Sequence, residues 1–187
     1  MVIAEAQALG LGADSILIGL LQPALYQAGL DWECSRMSVA GEHRFTRWCE
    51  RAFQLLPSPP PRAQADLLLF QTPGNVHSVG PRFAAHVLGL RGLSVHCVVP
   101  AVPYQDMLSL ARDARPRFIG FSCATPGVIP AALASIARLR TDLGQDLKPR
   151  FLLSGFAFRF GGGLELSFNE SDVDVVRDFS YFDPFLG

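Results

Sequence analysis

From Ala65 onward the sequence alternates two patterns, and that alternation constrains the fold more than any other feature. Ala65–Gln71, Leu93–Val99, Phe118–Ser122 and Arg150–Ser154 are short, nearly continuous apolar runs, and they read as strands buried on both faces. Between them lie segments with helical spacing, Val79–Arg91, Pro103–Ala114 and Ile129–Arg140. Asp172–Val176 reads as a weaker fifth strand ahead of a short terminal helix. A helix between two strands returns the chain to the edge it left, so the strands run parallel. The order predicts a doubly wound α/β domain over residues 65–187, built on a parallel five-stranded sheet.

Upstream, Pro57-Ser58-Pro59-Pro60-Pro61 marks a boundary, because serial prolines stop helices and make a stiff connector. Residues 57–64 are read as this linker and residues 1–56 as a helical cap that packs on the α/β domain. Asp14 suits the N-cap of a helix from Ser15 to about Gly29, with Ile16, Leu20, Ala24 and Ala28 on one stripe. Ser38 suits the cap of a second helix running to Leu56, with Phe45, Cys49, Phe53 and Leu56 at helical spacing.

Composition narrows the function classes. The net charge is −1, and the basic residues are scattered arginines with Lys148 the sole lysine, so no nucleic-acid or anionic-membrane surface follows. The run Ile16–Leu21 ends at Gln22-Pro23, well short of a membrane span. The first basic residue is Arg36, which argues against a secretory leader. Cys34, Cys49, Cys97 and Cys123 lack zinc spacing and read as buried free thiols in a reducing, cytoplasmic setting. His86 and His96 lie inside elements and read as structural.

The chemistry is concentrated after the first strand, in Thr72-Pro73-Gly74-Asn75-Val76-His77-Ser78-Val79-Gly80. Loops at the C-terminal ends of parallel strands are where open α/β sheets hold ligands. An imidazole there, with Gly74 and Gly80 clearing the backbone, can reach a large flat ligand or a metal. Its second ring nitrogen needs an acceptor, and the Asn75 amide oxygen is near enough in sequence to serve. The plain alternative is a histidine capping its own helix. Small residues also follow the third strand (Gly120-Phe121-Ser122-Cys123-Ala124) and the fourth (Ser154-Gly155). They either open a slot beside the sheet or permit close helix packing.

In this order and spacing, the His77-x-x-Gly80 loop, Ser122 and Gly155 resemble the Rossmann-like cobalamin-binding domains. The resemblance implies that His77 replaces the nucleotide base as lower axial ligand to cobalt, with Asn75 as its hydrogen-bonding partner. It also implies Gly80 as the close-approach glycine, Ser122, Ser154 and Gly155 as the pocket for the nucleotide tail, and Val76 and Thr125 as further cofactor contacts. Two positions depart from the family pattern. Asn75 stands where Asp or Glu is usual, and Ser154 stands where a first Gly is usual.

The helical half adds Trp32, followed ten residues later by Glu42-His43. This is similar to the cap of cobalamin-based photoreceptors, where these residues cover the upper face of adenosylcobalamin. An indole offers a flat apolar surface to the adenosyl group, and Glu42 can accept from its ribose or amine. Taken singly, Trp32 reads equally as core and Glu42 as a favourable charge at a helix start. The resemblance implies a light sensor, not an enzyme, with His43 the candidate for the vacated cobalt position. Its output would run through a partner protein, a homo-oligomer change or a domain outside this chain, without direct nucleic-acid or membrane binding. Some relatives also hold a second tetrapyrrole. Two competing readings remain: a corrinoid carrier passing methyl groups between methyltransferases, and a haem or bilin sensor with His77 or His43 on iron.

Overall fold

Five parallel strands form one sheet in the computed structural model, which describes residues 2–57, 64–158 and 173–186. The prolines from 59 to 61 and the triple glycine Gly161-Gly162-Gly163 lie outside the described residues. The strands are β1 (Leu67–Gln71), β2 (Val95–Val98), β3 (Phe118–Ser122), β4 (Arg150–Ser154) and β5 (Val173–Val176), in the spatial order β2-β1-β3-β4-β5. Strand order therefore reverses between β1 and β3, which makes their C-terminal ends the switch point where such sheets bind ligands. In register, Gln71 stands opposite Ser122, and Ser122 opposite Ser154.

Alternate side chains feed two cores. Leu68, Phe70, Ile119, Phe121, Phe151 and Leu153 pack with residues of Tyr104–Ala114 and Ile129–Leu143. Leu67, Leu69, Phe118 and Leu152 pack with Leu88 and with the 3-10 segment Phe179–Phe185. The two-residue period of a strand sends neighbouring side chains to opposite faces, so continuous apolar runs can be covered twice. The edge strand β2 differs from the expected pattern. Its residues are only partly covered and His96 is exposed, because an edge strand has a neighbour on one side only.

The chain divides into two compact units, Met1–Pro59 and Pro60–Gly187. Within the first, helical structure runs from Ala13 to Glu33 with a wide π turn at Leu17–Leu21. Pro23 gives the reason: it has no N–H to donate, and its ring would collide with the carbonyl four residues back. The wider turn advances the helical phase. Ile16, Leu17 and Leu21 point inward, while Leu20, expected on the buried stripe, is 37% exposed. Two further expectations need correction. Gly12, not Asp14, occupies the N-cap position, and Asp14 lies in the first turn, where its charge suits the helix dipole. The helix also runs past Gly29 to Glu33 and so carries Trp32.

Ser38 caps the next helix, Val39–Gln54, as its sequence predicts, with its Oγ accepting the Gly41 N–H at 3.1 Å. Cys49, Phe53 and Leu56 are buried and Phe45 is half-buried, stacked on Trp48. Among the described residues, no helix is long and apolar enough to cross a membrane.

Candidate functional site

The loop after β1 is built by its own turn chemistry. Asn75 N–H donates to Thr72 C=O at 2.9 Å, closing a turn with Pro73 second and Gly74 third. Proline presets the negative φ of the second position, and the third needs a positive φ, here +83° at Gly74. Asn75, the fourth residue of this turn, is buried at 7% exposure. Its Oδ1 accepts the His77 backbone N–H at 3.0 Å, and its Nδ2 donates to the Ser122 carbonyl at 2.9 Å. The first bond is the local Asx geometry that suits Asn in loops. The second ties the loop to the adjacent strand.

His77 then projects from a fixed backbone. Its residue is exposed, and its imidazole makes no hydrogen bond or ion pair among the described residues. The oxygen of Asn75, expected to serve the imidazole, bonds the His77 main chain instead. The reason is reach: an Asx oxygen two residues upstream lies beside the backbone N–H as soon as the loop turns. Beside it, Val76 is 84% exposed. Gly80 lies in the first turn of the helix Val79–Leu90, and a Cβ added there would meet only the Ser122 Oγ at 3.9 Å. Packing within this unit therefore does not require a glycine at position 80.

The other loops behave differently. Gly155 has φ +115°, and a Cβ on it would stand 2.3 Å from the Cys123 carbonyl oxygen. Here glycine is a structural necessity. The strand ends are stitched by Cys123 N–H to Ser154 C=O at 2.7 Å. Ser122 is buried, Ser154 half-buried and Thr125 exposed. The fold thus brings the His77 loop, Ser122 and Ser154-Gly155 to one edge of the sheet.

Two buried polar residues at this edge escaped the sequence reading. Gln71 Nε2 donates to the Asn75 carbonyl, while its Oε1 is buried without a partner among the described residues. Thr72 Oγ1 lies 3.4 Å from Cys123 Sγ. The signal was present, since both are polar residues ending an apolar strand, but it does not separate a brace from a strand terminator. Burial raises the Cys123 thiol to about 11, so it stays neutral at physiological pH. Cys34, expected in the core, is exposed.

In the helical unit, Trp32 is 42% exposed near the end of its helix. The following turn is held by Arg36 and Met37 N–H donating to the Asp31 carbonyl, at 2.7 and 3.0 Å. Hydrogen bonds from Arg36 and Gln27 hold the Asp31 carboxyl below its ordinary range. On the next helix Glu42 Oε2 lies 2.6 Å from His43 Nδ1, and Glu42 Oε1 accepts from Thr46 at 2.7 Å. The carboxylate expected to reach a ligand sugar is therefore already bonded along its own helix. It favours a proton on His43 Nδ1, leaving Nε2 as the ring's lone-pair donor.

Residues 2–56, the helical unit, match the family model described as B12 binding domain. No curated protein matches the chain in sequence. Solved structures that share its fold include the following two. The monomethylamine corrinoid protein of Methanosarcina barkeri aligns at TM-score 0.76 and 14% identity, covering 98% of this chain and 86% of that one. A cobalamin-binding protein from Desulfitobacterium hafniense aligns at TM-score 0.51 and 12% identity, covering 95% and 83%. At these identities the likeness is one of fold, and it agrees with the doubly wound, Rossmann-like architecture.

Proposed function

We propose that this chain binds a cobalamin, with His77 as the lower axial ligand. The observation that carries the reading is an exposed imidazole with no partner among the described residues, on a loop locked to the switch point of the sheet. Three features of the chain fit such a group. Gly80 leaves open space that its own unit does not need filled. Ser122 and Ser154 line the same strand ends. The helical unit matches a B12-binding model. A bound cobalamin would supply a cobalt–carbon bond that light can break or a partner enzyme can exploit.

Of those two uses, we propose light sensing, signalled to a partner protein or through a change of oligomer. Trp32 supports this, since a partly exposed indole can receive a flat apolar group such as an adenosyl base. His43 supports it too, because Glu42 bonds its Nδ1 and leaves Nε2 as the lone-pair donor on an exposed side chain. The carrier reading is favoured by a different observation, the shared fold with the monomethylamine corrinoid protein.

One experiment separates them. The protein is loaded with adenosylcobalamin in the dark, and its absorption and hydrodynamic size are recorded before and after green light. Light sensing expects the absorption to change, and the size to change with it where the output is an oligomer switch. Failure to bind any cobalamin overturns the whole proposal. Binding with no light response, together with methyl transfer from methylcobalamin to a partner enzyme, selects the carrier.

A further inference from the structure

We infer that Asn75 is a positioning residue that clamps the His77 loop to β3, and that it must be a neutral amide to do so. The argument rests on the polarity of the two groups it faces. Its Oδ1 meets a donor, the His77 N–H at 3.0 Å, and its Nδ2 meets an acceptor, the Ser122 C=O at 2.9 Å. A carboxamide carries one acceptor and one donor end on a side chain of this length. Asp has the same shape but two acceptor ends, and would set a carboxylate oxygen against the Ser122 carbonyl at a site 7% exposed. Gln71, 4% exposed, braces the same turn from below, donating from Nε2 to the Asn75 carbonyl. The loop is thereby held in place before any ligand arrives, which spares a ligand the cost of ordering it.

This assigns position 75 the opposite chemistry from an acceptor for the imidazole ring, and the two assignments differ in sign. If residue 75 served the ring, Asp would be the better acceptor, and Asn75→Asp would tighten ligation by His77. If residue 75 is a clamp, Asn75→Asp breaks it. The link to ligation rests on the cobalamin proposal, whereas the clamp itself is tested on the cobalamin-free protein.

Amide exchange on the wild-type chain comes first. The His77 N–H is expected to exchange at least about tenfold more slowly than that of the neighbouring, 84% exposed Val76. Thermal unfolding of Asn75→Asp and Asn75→Ala at neutral pH comes second. Both are expected to melt below wild type, the Asp variant lower by roughly 4 °C or more. Hydroxocobalamin is then added to each, and the spectrum attributable to imidazole ligation is expected to weaken in both variants. Equal exchange of His77 and Val76 in wild type would overturn the clamp, even if neither variant folds. So would an Asp variant as stable as wild type with a strengthened imidazole signature. Absence of that signature in the wild-type protein would instead count against His77 ligation and leave the clamp standing on its exchange and melting data.

Discussion

Gly155 and Cys123 approach more closely than any side chain at position 155 would permit. A Cβ on Gly155 would stand 2.3 Å from the Cys123 carbonyl oxygen and 2.9 Å from its carbonyl carbon, at a φ of +115°. The substitution Gly155→Ala is therefore expected to destabilise the fold by about 2–4 kcal/mol, combining backbone strain with displacement of the β3 end. Urea unfolding checks this, and a loss below about 1 kcal/mol would mean that the two strand ends part easily.

Gly80 should behave in the opposite way. Its substitution by Ala meets only ordinary contact with Ser122 Oγ at 3.9 Å and replaces a helical glycine. Stability of the cobalamin-free protein is expected to stay level or rise by about 0.5–1 kcal/mol. Cobalamin affinity is expected to fall, because the added methyl enters the space proposed for the cofactor. Unchanged affinity, measured by spectral titration, would remove Gly80 from the site.

His77→Ala should separate binding from folding. The imidazole is exposed and makes no bond among the described residues, so its loss is expected to change stability by no more than about 0.5 kcal/mol. The spectrum of bound cobalamin should lose the signature of imidazole ligation. A variant with wild-type affinity and spectrum would show that His77 is not the ligand.

The thiols should divide by burial. Cys34 is exposed, whereas burial raises Cys49 to about 12 and Cys97 and Cys123 to about 11, from an ordinary 9.0. Alkylation of the native protein near pH 8 is expected to label Cys34 well ahead of the other three, as read by mass spectrometry. The same shifts carry a sign for stability. A thiol with a raised folded pKa contributes fully below the unfolded value and loses that contribution as pH climbs through the folded one. Urea midpoints should therefore fall between pH 9 and about pH 11–12, and a midpoint that held steady there would contradict the burial of these thiols.

Much of the fold was legible because its signals are local. Continuous apolar runs such as Phe118–Ser122 mark strands covered on both sides, and Ser38 ahead of Val39 marks a helix start. One departure was local in origin. The spacing of Ile16, Leu20, Ala24 and Ala28 predicts one regular helix through Pro23, but the chain carries a π turn at Leu17–Leu21 and Leu20 is exposed. In the site, the histidine and glycines were legible, since few other roles suit them after a strand. Gln71 and Thr72 were not, because a polar residue ending a strand looks alike whether it braces a loop or faces water. The bonding of Asn75 was missed for a related reason: its acceptor half is set by sequence neighbours, but its donor half bonds across 47 residues.

The sequence by itself determined which segments become strands and helices, and it set the Pro73-Gly74 turn that presents His77. Those choices arise from backbone stereochemistry and from the period of apolar residues, both properties of a few neighbouring positions. Strand order was decided only by the tertiary structure. Nothing within Leu67–Gln71 or Phe118–Ser122 says that these two runs lie side by side with β2 outside them. That arrangement depends on helices covering both faces of the sheet at once, which is a property of the whole domain. It sets the Ser122 carbonyl beneath Asn75 and so turns a loop histidine into a fixed one.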